Sequence, residues 1–264
     1  MMSNTDSLSY NWLTTNYSRK IIMNNSDLAQ ILIRAVEEAD SSDRLLDAVQ
    51  ELAAAGIEEA VPTLIAALGY NNPGAAVAAV DGLIAIGEAA VSPLLQLIDD
   101  YNYGARAWAI RALAGIGDVR ALDTLLEAAK TDFSLSVRRA AARGLGTLRW
   151  HQVPPEKLES IQTQVLEALL LISQDPEWVV RYAAVTSLET LAIAIAATLP
   201  EQASRITNQL QQMLDTDVDL GVRTRVKFAQ EKIQPQQHQE VFAPKRKLQD
   251  TEVSEVPHRG AGRR

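Results

Sequence analysis

The chain has 264 residues, 47% of them hydrophobic, a formal net charge of −8 and no cysteine. That length and apolar content fill one compact domain or one elongated array, and the negative charge disfavours nucleic acid and anionic membranes as partners of the whole molecule. Without cysteine there is no disulfide framework, no thiolate metal site and no thiol nucleophile or carrier; the three dispersed histidines, His151, His238 and His258, offer no metal site either.

Residues 1–25 read as a flexible leader, with Met23 as an alternative start of the chain. They contain no apolar segment of the secretory kind. The longest apolar run, Leu188–Leu199, is interrupted by Glu189 and Thr190 and is too short to span a bilayer. No membrane span is expected, and a cytosolic location is.

From Leu28 to Ile233 apolar residues recur at three- and four-residue spacing, and no alternation of period two persists, so the chain is all-α. Leu-x-x-x-Gly recurs as Leu52/Gly56, Leu83/Gly87 and Leu113/Gly117. Each glycine follows an apolar helix and suits a left-handed cap. A second series, Asp-x5-Arg, occurs at Asp100/Arg106, Asp132/Arg138, Asp175/Arg181 and Asp217/Arg223, each Asp near a turn and each Arg early in the next helix. The expectation is a charge-assisted pairing within this series, with Arg106 on Asp100 and Arg138 on Asp132, holding repeats together.

This register predicts six helix pairs. First helices are expected near 26–39, 59–69, 89–99, 119–130, 156–173 and 200–214, and second helices near 42–55, 73–86, 103–116, 135–149, 177–196 and 218–233. Such pairs stack as a right-handed α-solenoid of HEAT-like repeats over 26–233. Residues 234–264 are polar, rich in Pro and Gln, and read as a disordered tail. The Ala- and Leu-rich stretch Leu188–Leu199 is a candidate for an interface left uncovered without a partner.

No phosphate loop, metal-ligand spacing, nucleophile elbow or triad is present, and no tightly bound cofactor is expected. What remains is a surface. Asp81, Arg111 and Arg143 fall at equivalent positions of successive second helices, which in such arrays line the concave face. Arg139 lies four residues before Arg143, on the same side. Arg111, Arg139 and Arg143 are read either as a basic strip for a carboxylate ligand or as members of inter-repeat ion pairs. Tyr103 and Trp108 begin the Arg111 helix and are read as stacking groups or as packing. His151, after the Arg143 helix, is read as a proton-transfer group or as a helix-end cap. Asn71-Asn72-Pro73-Gly74 is a turn that opens a helix.

The stretches NNPGAAVAAVDGLIAIGEAAV (71–91) and YNYGARAWAIRALAGIGDVRALDTLLEAAKTDFSLSVRRAAARGLGTLRW (101–150) resemble the E/F-type phycobilin lyases, and among them the F (beta) subunits that handle phycocyanobilin. The resemblance runs from about Leu28 to Ile233. It implies a cyanobacterial, phycobilisome-bearing cell and a heterodimer with an E-type (alpha) lyase subunit, itself a helical-repeat protein. It implies phycocyanobilin as substrate, attached through a thioether to a cysteine of the phycocyanin alpha subunit. One branch of the family also isomerises the bilin with a His-Cys pair; a chain without cysteine cannot have that pair, so attachment without isomerisation is expected. On this reading Arg111, Arg139 and Arg143 meet the propionates, Asp81 the pyrrole nitrogens, and Trp108 or Tyr103 the conjugated plane. The alternative is a non-catalytic adaptor that stabilises the E-type partner or phycobiliprotein assembly.

Overall fold

The structure is a computed structural model that describes residues 25–99 and 103–241, without the side chains of 99, 103, 104 and 235–241. Among these residues there are twelve α-helices and no strand. In chain order they are α1 (Asn25–Glu37), α2 (Ser42–Ala55), α3 (Val61–Ala67), α4 (Pro73–Ile86), α5 (Glu88–Asp99), α6 (Tyr103–Ile116), α7 (Leu122–Thr131), α8 (Leu135–Leu145), α9 (Pro155–Ile172), α10 (Trp178–Ile195), α11 (Pro200–Thr216) and α12 (Leu220–Val241). They form six pairs. The second helices, α2, α4, α6, α8, α10 and α12, pack side by side in sequence as one layer, with the first helices forming the other. This is the α-solenoid expected from the repeat.

Local chemistry sets the helix ends. Ser41 caps α2 by accepting from the Arg44 amide. Asn72 caps α4 by accepting from the Ala75 amide, with Pro73 in the first turn. Its side-chain amide donates to the Ser42 carbonyl at 2.9 Å, so this asparagine is used up in structure. Gly56, Gly87 and Gly117 all take positive φ; Gly56 is the left-handed cap that the Leu-x-x-x-Gly series predicts, whereas Gly87, at ψ −121°, ends α4 in another conformation.

Four boundaries differ from expectation. Short 3-10 turns, Glu58–Ala60 and Val119–Ala121, precede α3 and α7. Helix α8 stops at Leu145 instead of continuing to 149, because Gly146 ends it and the Thr147 hydroxyl donates to the carbonyls of Ala114 and Gly144. Helix α12 runs on to Val241, through Pro235.

The Asp-x5-Arg series does bind the repeats, but one step out of register with expectation. Arg106 pairs with Asp132 at 3.0 Å, Arg138 with Asp175 at 2.8 Å and Arg181 with Asp217 at 2.7 Å. Each arginine therefore reaches forward to the aspartate of the following repeat; Asp100, the partner expected for Arg106, lies outside the described residues. The reason is local. Each aspartate closes its own turn, accepting from the amide two residues on, at Ser134, Glu177 and Asp219. Arg138 and Arg181 donate to the backbone carbonyl of their own repeat's aspartate, at 2.9 and 3.0 Å, which leaves Nε and Nη2 aimed at the next carboxylate.

The Leu188–Leu199 stretch is core. Leu188 and Ile195 are fully buried and Leu199 is 9% exposed, so it is not an uncovered interface. Helix α10 has the length and mean hydropathy of a membrane span. It carries Arg181 and Glu189 in ion pairs and packs between α8 and α12, as the core helix of a solenoid does.

Candidate binding site

The second-helix layer brings four of the expected site residues to one hollow. Asp81 from α4, Arg111 from α6, and Arg139 and Arg143 from α8 line a cavity of about 480 Å³, closed on its far side by Val179, Tyr182 and Thr186 of α10. Its floor is narrow-chained, with Ala114, Gly115, Ala140 and Ala183. Small residues there let adjacent helices approach closely: a methyl group added at Gly115 would meet Ile84 at 2.2 Å, and one at Gly144 would meet Ala114 at 2.7 Å. The close approach brings side chains from four successive repeats within one small-molecule footprint.

The charge arrangement follows from the ladder. Arg138 and Arg181 are neutralised by Asp175 and Asp217. Residues one and five positions further along the same helices point to the cavity instead: Arg139 and Arg143 on α8, Tyr182 and Thr186 on α10, Arg111 on α6. Arg111, Arg139, Arg143 and Asp81 are exposed, and among the described residues none of the four has an ion-pair partner within 4.0 Å. Inter-repeat pairing therefore does not account for them. Three guanidinium groups with one carboxylate make a local net charge of +2 on a chain of net charge −8.

The remaining expected residues lie elsewhere. Trp108 is half-buried against the core, and the Arg111 guanidinium sits 5.7 Å from its ring centroid. It supports the cavity through Arg111 and is not itself part of the wall. His151 is exposed on the 3-10 turn Trp150–Gln152 and does not line the cavity. Tyr103 begins α6, and its side chain lies outside the described residues. No group of His, Cys, Asp and Glu among the described residues could hold a metal ion.

Sequence reasoning missed Tyr182, Thr147 and Thr186. The signal was present: Tyr182 and Thr186 stand to Arg181 as Arg139 and Arg143 stand to Arg138. Beyond Thr186 the face ends in a further charged group. Glu189, 5% exposed, is 2.7 Å from Arg225 and 3.4 Å from Lys232. Arg225 Nε donates to the Thr186 hydroxyl at 3.2 Å, which fixes that cavity wall.

Comparison with known proteins agrees with this architecture. The HEAT-repeat family matches residues 62–146 and 91–189. The phycocyanobilin lyase subunit beta of Pseudanabaena tenuis is 55% identical over 236 residues, covering 88% of this chain and 84% of the relative. The phycocyanin alpha phycocyanobilin lyase CpcF of Synechocystis sp. is 55% identical over 188 residues, 71% of this chain and 84% of the relative. Among solved structures, a chain in the complex of CpcE and CpcF of phycocyanin lyase from Nostoc sp. PCC7120 matches with a TM-score of 0.60 and 51% identity, covering 65% of this chain and 98% of that one. With half of its residues shared across most of these relatives' length, the chain belongs to the family of phycocyanobilin lyase beta subunits.

Proposed function

We propose that this protein is the beta (F-type) subunit of a heterodimeric phycocyanobilin lyase. With an E-type (alpha) subunit it attaches phycocyanobilin to a cysteine of the phycocyanin alpha subunit, in the cytoplasm of a phycobilisome-bearing cell. The relatives named for that activity support the reading. The observation that carries the assignment of a site is the cavity in which Arg111, Arg139 and Arg143 face Asp81 without carboxylate partners of their own.

The chemistry asks little of this chain beyond placement. The acceptor supplies the thiol. Its sulfur bonds to the bilin's ethylidene carbon, the double bond is consumed, and a proton is delivered to the bilin. The arginines hold the two propionates by charge-assisted hydrogen bonds. Asp81, at the opposite end of the cavity, accepts from pyrrole N–H groups and stabilises positive charge on the protonated tetrapyrrole. Tyr182 presents the one aromatic ring of the cavity wall to the conjugated plane. Trp108 orients Arg111 from below. Fixing the bilin in one conformation beside the acceptor thiol is catalysis by positioning. Since this chain has no cysteine, the bilin is attached without isomerisation.

The test is transfer of phycocyanobilin to the apo alpha subunit, with the E-type subunit present, by Arg143→Ala, Asp81→Asn and Arg205→Ala variants. Loss of one charge-assisted contact, about 1.5–3 kcal/mol, lowers the rate about tenfold or more in the first two. Arg205 is bound to Glu167 between first helices, and its variant keeps the parental rate. Parental rates in all three would refute the site while leaving membership of the lyase intact; no covalent adduct with the unmodified pair would refute the lyase reading itself.

A further inference from the structure

Helices α8, α10 and α12 begin with residues that the fold does not ask for. A helix start favours proline or an acidic residue, and the first helices α9 and α11 begin with Pro155-Glu156 and Pro200-Glu201. At the corresponding place α8 has Leu135, α10 has Trp178 and α12 has Leu220. These are 45%, 47% and 69% exposed, and Phe133 and Val218, in the turns just before α8 and α12, are exposed as well. The ladder fixes their place. Asp132, Asp175 and Asp217 each accept from the amide two residues on, and the residue after that opens the helix. Since α10 packs between α8 and α12, the three helix starts stand side by side as an apolar lip on one edge of the second-helix layer. Trp178 reaches the start of α12, where a methyl group at Gly221 would meet its ring at 3.8 Å.

The lip borders the cavity. Arg139 and Tyr182, which line it, lie one helical turn after Leu135 and Trp178, on the same side of α8 and α10. Aromatic and aliphatic anchors beside arginines have the composition of a protein–protein contact. The reaction identifies the occupant. The second substrate of a phycocyanobilin lyase is itself a protein, whose cysteine has to come to the bound bilin, so the surface that frames the cavity is covered by the acceptor whenever the thiol is in place. Size points the same way. One or two side chains from each of three repeats suit a contact made and released at every turnover, whereas a permanent subunit interface buries a broader apolar area.

We propose that Leu135, Trp178, Val218 and Leu220 form the docking lip for the acceptor, the phycocyanin alpha subunit, and hold an apolar patch of its surface so that its cysteine meets the cavity beside Arg139 and Tyr182. The docking rests on the lyase reading and on the cavity as the bilin site, and it leaves the lip open in the pair with the E-type subunit.

The test is a Leu135→Glu/Leu220→Glu variant in that pair. Glutamate suits a helix start, so the helices are kept, and neither leucine lines the cavity. Bilin transfer is followed against the concentration of apo alpha subunit. The double variant is expected to raise KM for the apo alpha subunit about tenfold or more, while bilin retention without acceptor stays that of the parent. Ile31→Glu, at an exposed residue of α1 in the other layer, keeps the parental KM. Because the chain has no cysteine, a photoreactive maleimide on Val218→Cys marks one point of the lip, and it is expected to capture the apo alpha subunit. An unchanged KM in the double variant, an equal rise in Ile31→Glu, or a loss of bilin retention overturns the docking. So does capture of the E-type subunit or of a second copy of this chain in place of the acceptor. A parental pair that forms no adduct at all would refute the lyase reading, and the docking with it.

Discussion

Removing one arginine of the ladder measures what the ladder contributes. Arg181 offers Nε and Nη2 to the two oxygens of Asp217 at 2.7 and 2.8 Å, and Nη1 to the carbonyls of Asp175 and Pro176 at 3.0 Å each. The two side chains are 11% and 5% exposed. Arg181→Met keeps the packed stem but leaves the Asp217 carboxylate buried, with the Asp219 amide at 2.9 Å as its remaining donor. Breaking a pair so placed costs about 3–5 kcal/mol. In a solenoid, stability is divided among repeats and their interfaces, so the loss falls on the junction that the pair spans. Native-state hydrogen exchange followed by mass spectrometry reads it. Amides of α11 and α12 are expected to open with a free energy lower by about 3 kcal/mol, a roughly hundredfold faster exchange, while those of α4 and α6 keep the parental rate. Adding Asp217→Asn relieves the stranded charge, and the double variant is less destabilised than the two single losses added together. A change below about 1 kcal/mol, or an equal change at α4, would refute the idea that this pair locks two repeats.

Other outcomes rest on the same geometry. Gly56 and Gly117 both have positive φ, but a methyl group at Gly56 meets nothing within 4 Å, whereas one at Gly117 meets the Thr147 carbonyl oxygen at 2.3 Å. Gly56→Ala should therefore cost about 1–2 kcal/mol and Gly117→Ala clearly more, read as urea midpoints at unchanged slope; equal costs would contradict the close approach. The Arg120 guanidinium holds Asp118, and Arg181 holds Asp217, below the usual carboxylate range. Depressed folded-state values contribute stability that is present above the unfolded value and lost as pH falls through the folded one, so the thermal midpoint should drop below about pH 4. That drop should be shallower in the Arg181→Met/Asp217→Asn variant, and an unchanged slope would remove Asp217 from the account. Trp108→Leu should weaken bilin retention through Arg111 and leave Arg143 in place, so that its effect is lost in an Arg111→Ala background; a full additive effect would show that Trp108 acts on its own.

The periodic features were legible in the sequence because repetition displays them several times over. Helix pairs, glycine caps and the Asp and Arg positions all came from spacing. What spacing could not give was the direction of a side chain that has two carboxylates to choose between. Arg138 comes six residues after Asp132, and a sequence reading pairs neighbours; in the structure Asp132 is committed to its own turn and Arg138 crosses to Asp175. Tyr182 was hidden for a related reason. Arg181 stands 43 residues after Arg138, well beyond the shorter intervals of the earlier repeats, and that spacing obscures the equivalence of Tyr182 with Arg139. Trp108 and His151 were drawn in by chemical type and nearness in the chain; Trp108 is turned into the core on its helix, and His151 lies on the 3-10 turn that follows once α8 has ended at Leu145.

The forward reach of the ladder also explains why the cavity has free cations at all. On α8, Arg138, Arg139 and Arg143 lie within two turns, and a single aspartate of the next repeat stands within reach of the edge on which Arg138 lies. One pair satisfies that edge. Arg139 is turned from it by about 100° and Arg143 by about 140° of helix rotation, toward the second-helix surface. There the neighbouring repeats offer Ala114, Gly115, Ala183 and Thr186, and among the described residues that line the cavity Asp81 is the one carboxylate. The repeat that glues the solenoid together thus consumes its acids at the turns and leaves the basic strip uncompensated on the face. We propose that a ligand or partner with negative charge completes this strip. A tetrapyrrole with two propionates on one side and pyrrole N–H groups on the other matches both the three arginines and the lone aspartate.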